Sequence, residues 1–232
     1  MLRGPQNLPE RIHDVQERVT QAAARAGRSA HSVTLLAVTK AQPAGTVRDA
    51  ADLGLREFGE SYLQEGLAKL DALRDRDLVW HFIGRVQANK TRPIAEAFAW
   101  VHAVDRLKIA ERLSEQRPHY APPLNVYLQV NVGGEASKGG IPSTELPELA
   151  RAVARLPRLA LRGLMCIPPE ETEVPRQRAW FRELRELKDS LNSRGLDLDT
   201  LSMGMTQDFE AAIEEGATIV RVGTALFGPR PP

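Results

Sequence analysis

The amino-acid sequence predicts an α/β fold, a single (β/α)8 TIM barrel, on three observations. Short β-branched apolar runs alternate with longer amphipathic stretches along the whole chain. Eight such runs fall within 232 residues, the length that eight strand–helix units occupy. The first run is not followed by G-x-G-x-x-G, which lowers the dinucleotide-binding form of the rival, an open doubly wound sheet. Alternation alone leaves that rival open.

The elements follow in order. A first helix is expected from Leu8 to Ala26, because Ile12, Val15, Val19 and Ala22 or Ala23 share one face and Gly27 stops it. The run Val33 to Val38 reads as the first strand and ends at Thr39-Lys40. Pro43 opens a helix through Leu53, closed by Gly54. A short strand over Glu57 to Gly59 precedes a helix from Tyr62 to Leu73. Leu78 to Ile83 is the third strand, and Trp100 to Val104 the fourth. Helical stretches are expected at Ile94 to Phe98 and at Arg106 to Gln116. The fifth strand, Leu124 to Val132, runs into a Gly-rich loop, with its helix from about Ser143 to Leu156. After a sixth strand, Leu159 to Ile167, a charged helix spans Pro175 to Ser193 with Trp180, Phe181, Leu184, Leu187 and Leu191 at core spacing. A strand over Leu201 to Gly204, a helix over Phe209 to Glu215 and a strand over Thr218 to Val222 complete the series. The stretch Pro118 to Pro123 is too short for a linker, so residues 1–232 are expected to form one domain.

Composition narrows the class. With 42% hydrophobic and 26% charged residues the chain is of ordinary globular type. A net charge of +1 offers no attraction to nucleic acid or to an anionic membrane. The single cysteine, Cys166, excludes an intrachain disulfide and is too little for a cysteine metal site; no metal is expected. The N-terminus MLRGPQNLPERIHDV lacks the apolar core of a secretory signal, and no apolar run approaches the ~20 residues that span a bilayer. These features predict a soluble, cytoplasmic protein.

In a parallel barrel the strand carboxyl ends form the active face. Lys40, Glu60, Ser61, His81, Asp105, Asn131, Cys166, Ser202 and Arg221 end strands and should converge there. Lys40 follows a near-continuous apolar run, where partial desolvation would favour the neutral amine that carbonyl chemistry needs. The same position also suits a lysine at a solvated strand end. The loops after strands seven and eight are a recurring phosphate site. Gly223 and Thr224 could donate backbone N–H groups there and Ser202 a hydroxyl, although a tight turn and a helix cap explain them equally well. His81 and His102 sit beside tryptophans, where a satisfied core histidine is the stronger reading. Glu60 and Glu65 read either as paired carboxylates or as a solvated first helical turn. Cys166 reads as a small buried hydrophobe.

Six segments then carry a resemblance. They are AVTK (37–40), FGESYLQE (58–65), WHFIGRVQANK (80–90), VNVGGEASKGG (130–140), GLMCIP (163–168) and LSMGMTQDFEAAIEEGATIVRVGTALFG (201–228). In this order they resemble the pyridoxal phosphate homeostasis proteins, the YggS/PROSC family. The resemblance implies a barrel similar to that of fold-type III enzymes such as alanine racemase. It implies pyridoxal 5′-phosphate as cofactor, a Schiff base on Lys40, and Arg221 facing the pyridine nitrogen. Ser202, Gly223 and Thr224 would hold the phosphate, and Met203, Ser61 and His81 are taken as further cofactor contacts. Where the family usually reads G-E-N-Y this chain has Ser61, and Arg85-Val86 replaces a common His-Leu or Pro-Leu.

The resemblance implies a monomeric carrier or buffer of the cofactor, with pyridoxal-phosphate-dependent apo-enzymes as partners. The alternatives are an amino-acid racemase and a cofactor-free phosphosugar enzyme. Racemisation needs acid/base groups on both faces of the substrate carbanion. Alanine racemases take the opposing tyrosine from a β-rich second domain, whereas this chain stops at Pro232 just after the eighth strand. Tyr62, Tyr120 and Tyr127 offer no obvious substitute, though Tyr62 follows a strand ending near the site. The carrier is therefore the expected function.

Overall fold

An apolar strand with an unpaired edge leaves a row of N–H and C=O groups unsatisfied, and closing the sheet removes both edges. The computed structural model, which describes residues 7–135 and 139–229, closes it. Strands β1 (Thr34–Val38), β2 (Glu57–Glu60), β3 (Val79–Phe82), β4 (Trp100–Val104), β5 (Leu124–Val130), β6 (Leu159–Cys166), β7 (Thr200–Ser202) and β8 (Ile219–Val222) pair in sequence order. All the pairings are parallel, and β8 returns to β1 with Leu36 opposite Arg221 and Ala37 opposite Val222. The expected barrel is thus present, and the open sheet is not.

Around it lie α1 (Leu8–Arg25), α2 (Ala44–Asp52), α3 (Leu63–Ala72), α4 (Thr91–Ala97), α5 (Leu107–Gln116), α6 (Leu146–Ala154), α7 (Val174–Asn192), α8 (Phe209–Glu214) and α9 (Thr224–Phe227). The apolar stripe read for α1 is buried in full, and a capping box between Asn7 and Glu10 starts that helix. Burial is divided in two. A large apolar shell fills the space between sheet and helices. A smaller cluster around Leu36, Tyr127, Met165 and Ile219 draws on β1, β5, β6 and β8, strands that are not all neighbours, and so lies inside the barrel.

The differences from expectation are local. β5 stops at Val130 instead of Val132, and β7 at Ser202 instead of Gly204. Gly204 turns the chain with φ +91, and its carbonyl accepts the N–H of Arg221. α6 begins at Leu146, because Ser143 to Glu145 form a turn closed by Glu145 N–H to Pro142 O. The segment after Gly223, read as a turn, is the short helix α9. Residues 136–138, in the middle of the Gly-rich motif, lie outside the described residues, as do residues 1–6 and 230–232 of the expected domain. No described helix is long and apolar enough to cross a membrane.

Candidate functional site

A cavity of about 310 Å³ opens at the carboxyl ends of the strands. Lys40 reaches it from β1, Ser61 from β2, and Arg221, Gly223 and Thr224 from β8 and its exit. Because β8 pairs with β1, the two ends of the barrel sequence meet at this wall. Ile83 and Ile167 add apolar surface, and Asp208 comes from the loop after β7. The volume lies at the lower end of the ~300–1,000 Å³ typical of small-ligand pockets. Gly84 permits the close passage beside Ser61: a Cβ there would stand 2.1 Å from the Ser61 carbonyl oxygen.

Lys40 stands on a stretch leaving the ladder. Thr39 N–H still donates to Gly59 O, at 3.0 Å, but Ala41 has φ +62, uncommon for a residue with a side chain. Beneath this stretch, between β2 and α3, lies the buried Lys69. Its ammonium donates to Thr39 O at 2.6 Å, Glu60 Oε1 at 2.7 Å and Glu65 Oε1 at 2.6 Å. Thr39 Oγ1 donates to the same Glu60 oxygen at 2.5 Å, and Ala41 N–H to the same Glu65 oxygen at 2.6 Å. Burial pushes the Glu60 carboxyl above the usual carboxylate range, opposed by its bonds to Lys69 and Thr39.

Arg221 is held from behind. Its guanidinium donates to Ser202 O at 2.8 Å, Ser202 Oγ at 2.9 Å and Cys166 O at 2.8 Å. Ser202 Oγ lies 2.8 Å from His102 Nδ1, His102 Nε2 lies 2.8 Å from His81 Nδ1, and His81 Nε2 lies 2.6 Å from Glu57 Oε2. The contact between β4 and β7 joins strands that are not adjacent, so this row crosses the barrel interior. Donor and acceptor chemistry sets its direction: arginine can only donate and a carboxylate only accepts. Ser202 therefore donates to His102, His102 to His81, and His81 to Glu57, with both histidines neutral. Burial lowers the pKa of His81 and carries that of His102 well below the ordinary value, in keeping with that state.

Three residues expected as cofactor contacts do not line the cavity. Ser202 is fully buried with its hydroxyl engaged by Arg221 and His102, and Met203 is fully buried behind it. Neither stands on the cavity wall. His81 is 1% exposed and stacks on Trp100 in the barrel interior, so it is a satisfied core histidine. Period-two alternation turns His81 and Ser202 into the closed interior, away from its mouth, while Met203, next in the chain, packs on the opposite face in the shell between sheet and helices. Glu60, Asp105, Asn131 and Cys166 are also absent from the described wall. The Cys166 thiol is buried and its pKa pushed up to about 12, which makes it inert at neutral pH. Asp208 and Lys69 had no signal in the sequence beyond their place in ordinary helical or loop patterns.

Residues 12–231 match the profile of the alanine racemase N-terminal domain family. The pyridoxal phosphate homeostasis protein of Pseudomonas aeruginosa is 61% identical over 96% of this chain and 96% of its own length. That of Escherichia coli K12 is 49% identical, over 97% of each. This chain belongs to the pyridoxal phosphate homeostasis protein family. PipY of Synechococcus elongatus, solved with PLP bound, superposes with a TM-score of 0.85 at 35% identity, over 96% of this chain and 100% of that one. Alanine racemase from Corynebacterium glutamicum, at 18% identity and TM-score 0.71, shares the barrel; 95% of this chain covers 62% of that one. The family resemblance drawn from the six segments is therefore correct.

Proposed function

We propose that this protein binds pyridoxal 5′-phosphate at the β1–β8 wall, linked covalently through Lys40, and serves cellular homeostasis of the cofactor as a carrier or buffer without catalytic turnover. The observation that carries the reading is the convergence of Lys40, Arg221, Gly223 and Thr224 on one cavity. An amine for the aldehyde, a hydrogen-bond donor for the ring nitrogen and backbone N–H groups for the phosphate match three functional groups of that cofactor in kind. The names of the curated relatives and the cofactor-bound PipY support it.

When bound, the cofactor supplies a reactive aldehyde and an electron-accepting ring. The residues of this chain bind it without driving its chemistry. Lys40 supplies the amine for a Schiff base. Arg221 would hold the ring nitrogen as a donor but, as a cation through the physiological range, would give it no proton, which would leave the ring a weak electron sink. Of the three tyrosines, Tyr127 is fully buried, Tyr120 is 92% exposed, and Tyr62 is exposed and off the described wall. No described tyrosine faces Lys40 across the cavity to serve as a second acid/base group. We propose further that the protein acts in the cytoplasm as a monomer and hands the cofactor to pyridoxal-phosphate-dependent apo-enzymes.

Borohydride reduction of the cofactor-loaded protein, followed by peptide mapping, tests the link. A pyridoxyl group on Lys40 is expected, with Lys40→Ala losing it at an unchanged melting temperature; a label on Lys90 or another lysine overturns the assignment. Run alongside, amino-acid racemisation and transamination assays should show no steady turnover. Rates near the enzymatic median of ~10 per second would restore the racemase reading.

A further inference from the structure

We infer that Lys69 is a positioning residue for Lys40, acting through Glu60 and Glu65 on the two peptide groups that flank it. The inference rests on the reading of Lys40 as the attachment site. It begins from an anomaly of burial. Lys69 is 4% exposed, and a buried ammonium costs several kcal/mol unless its donors are satisfied. An ammonium has three donors, and here each has an acceptor: Thr39 O, Glu60 Oε1 and Glu65 Oε1.

Each of these acceptors leads to a neighbour of Lys40. Thr39 O is the carbonyl of the Thr39–Lys40 peptide. Glu65 Oε1 takes the N–H of Ala41, which belongs to the Lys40–Ala41 peptide. Glu60 Oε1 takes the hydroxyl of Thr39. Both peptide planes beside the Lys40 Cα therefore end on one cation, and that fixes the direction in which its side chain leaves the backbone. A general ion pair under a helix would have no reason to bracket one residue in this way.

The chain at this point needs such a restraint. Ala41, at φ +62, occupies a region that costs ~1–3 kcal/mol for a residue with a Cβ and persists only when its surroundings over-determine it. Released, the turn would relax and swing the amine off its line to the cavity. Covalent capture depends on reacting atoms being held in geometry, so loss of the bracket lowers capture even where the rest of the wall stays intact. Lys69, Glu60 and Glu65 are not on the cavity wall; their action passes through the backbone and side chain of Thr39 and the backbone of Ala41.

Three variants of the full chain test this: Lys69→Met, Glu65→Ala and Glu65→Gln. The Glu65 side chain is 28% exposed, so both of its variants can fold even if Lys69→Met does not. In the cofactor-free proteins, hydrogen exchange of the Ala41 amide should accelerate at least about tenfold in Glu65→Ala and Lys69→Met, as loss of a charge-assisted bond requires. In the loaded proteins, Schiff-base affinity should weaken by about tenfold, and the visible circular dichroism per bound cofactor should change. Glu65→Gln should keep both signals near those of the unaltered protein, because its amide oxygen can accept the same two hydrogen bonds. Unchanged affinity and dichroism in Glu65→Ala, or equal losses in Glu65→Gln and Glu65→Ala, would overturn the inference. A borohydride label away from Lys40 in the unaltered protein would instead defeat the attachment reading, with the exchange data still reporting on the bracket.

Discussion

Lys69 and Arg221 are both buried cations, 4% and 5% exposed, yet their surroundings are opposite in kind. Lys69 lies in the outer layer between β2 and α3, shared between two carboxylates and a carbonyl. Arg221 lies inside the barrel, and its donors meet a serine hydroxyl and two backbone carbonyls, all uncharged. The first region neutralises its charge within the protein and so holds the backbone under Lys40. The second orients its charge through neutral bonded partners, with the Asp208 carboxylate acting on it without a described bond, and leaves it at the cavity wall. Bonded carboxylates thus mark the cation under Lys40, and uncharged bonded partners mark the one on the cavity wall.

Removing the cation from the first region should have the larger effect. Lys69→Met leaves Glu60 buried without its counter-charge, and breaking a buried pair on one side costs ~3–5 kcal/mol. Urea or thermal melts read this directly. The deficit should be larger at pH 8 than at pH 5, since burial already raises the Glu60 pKa and the orphaned carboxyl can take up a proton as pH falls. A loss below ~1 kcal/mol would mean that the cluster is not a compensated pair, and the contrast with Arg221 would fail.

The second region should respond more weakly, since no charge there loses a charged partner. Ser202→Ala deprives Arg221 of one acceptor and His102 Nδ1 of its donor, a cost of ~1–3 kcal/mol for groups left unsatisfied. A loss matching that of Lys69→Met would erase the distinction. The sharper mark of this neutral row is its response to acid. Both histidines have folded pKa values below the ordinary ~6.5. Below that pH the unfolded chain binds protons that the folded one refuses. Stability is therefore complete above ~6.5 and is lost as pH falls toward the depressed folded values, at up to ~1.4 kcal/mol per pH unit for each histidine. Melts between pH 7 and pH 5.5 should show this slope, and His102→Gln should flatten it. A flat profile in the unaltered protein would mean that the fold does not depress these pKa values, and stability rising toward pH 5.5 would mean that the histidines are charged and the row's direction is wrong.

Of the expected site, Lys40, Ser61, Arg221, Gly223 and Thr224 were legible in sequence because each falls at a strand end or just beyond it, where a parallel barrel collects its ligand contacts. Ser202 and His81 end or approach strand ends too, but one position of parity decides whether a side chain enters the closed interior or reaches the mouth. Strand boundaries from sequence are too coarse to settle that parity: β7 was read one residue late at its start and two residues long at its end. Glu60 and Glu65 looked like the solvated start of a helix. What buries Glu60 and brings Glu65 to Lys69 and Ala41 is the seating of α3 over the exit of β1, a contact between segments with no local signature.

The sequence by itself determined the alternation of eight apolar runs with helices, the charged residue at the end of the first run and the glycine after the last. Hydrophobic periodicity and chain-breaking residues act locally, so these can be read along the chain. Only the tertiary structure decided that β8 closes onto β1 and brings Arg221 beside Lys40. It alone decided that Glu57, His81, His102 and Ser202 join into one row, and that Lys69 brackets Lys40 from 29 positions away. Those relations come from ring closure and from packing one layer on another, and neither leaves a trace in the spacing of neighbouring residues.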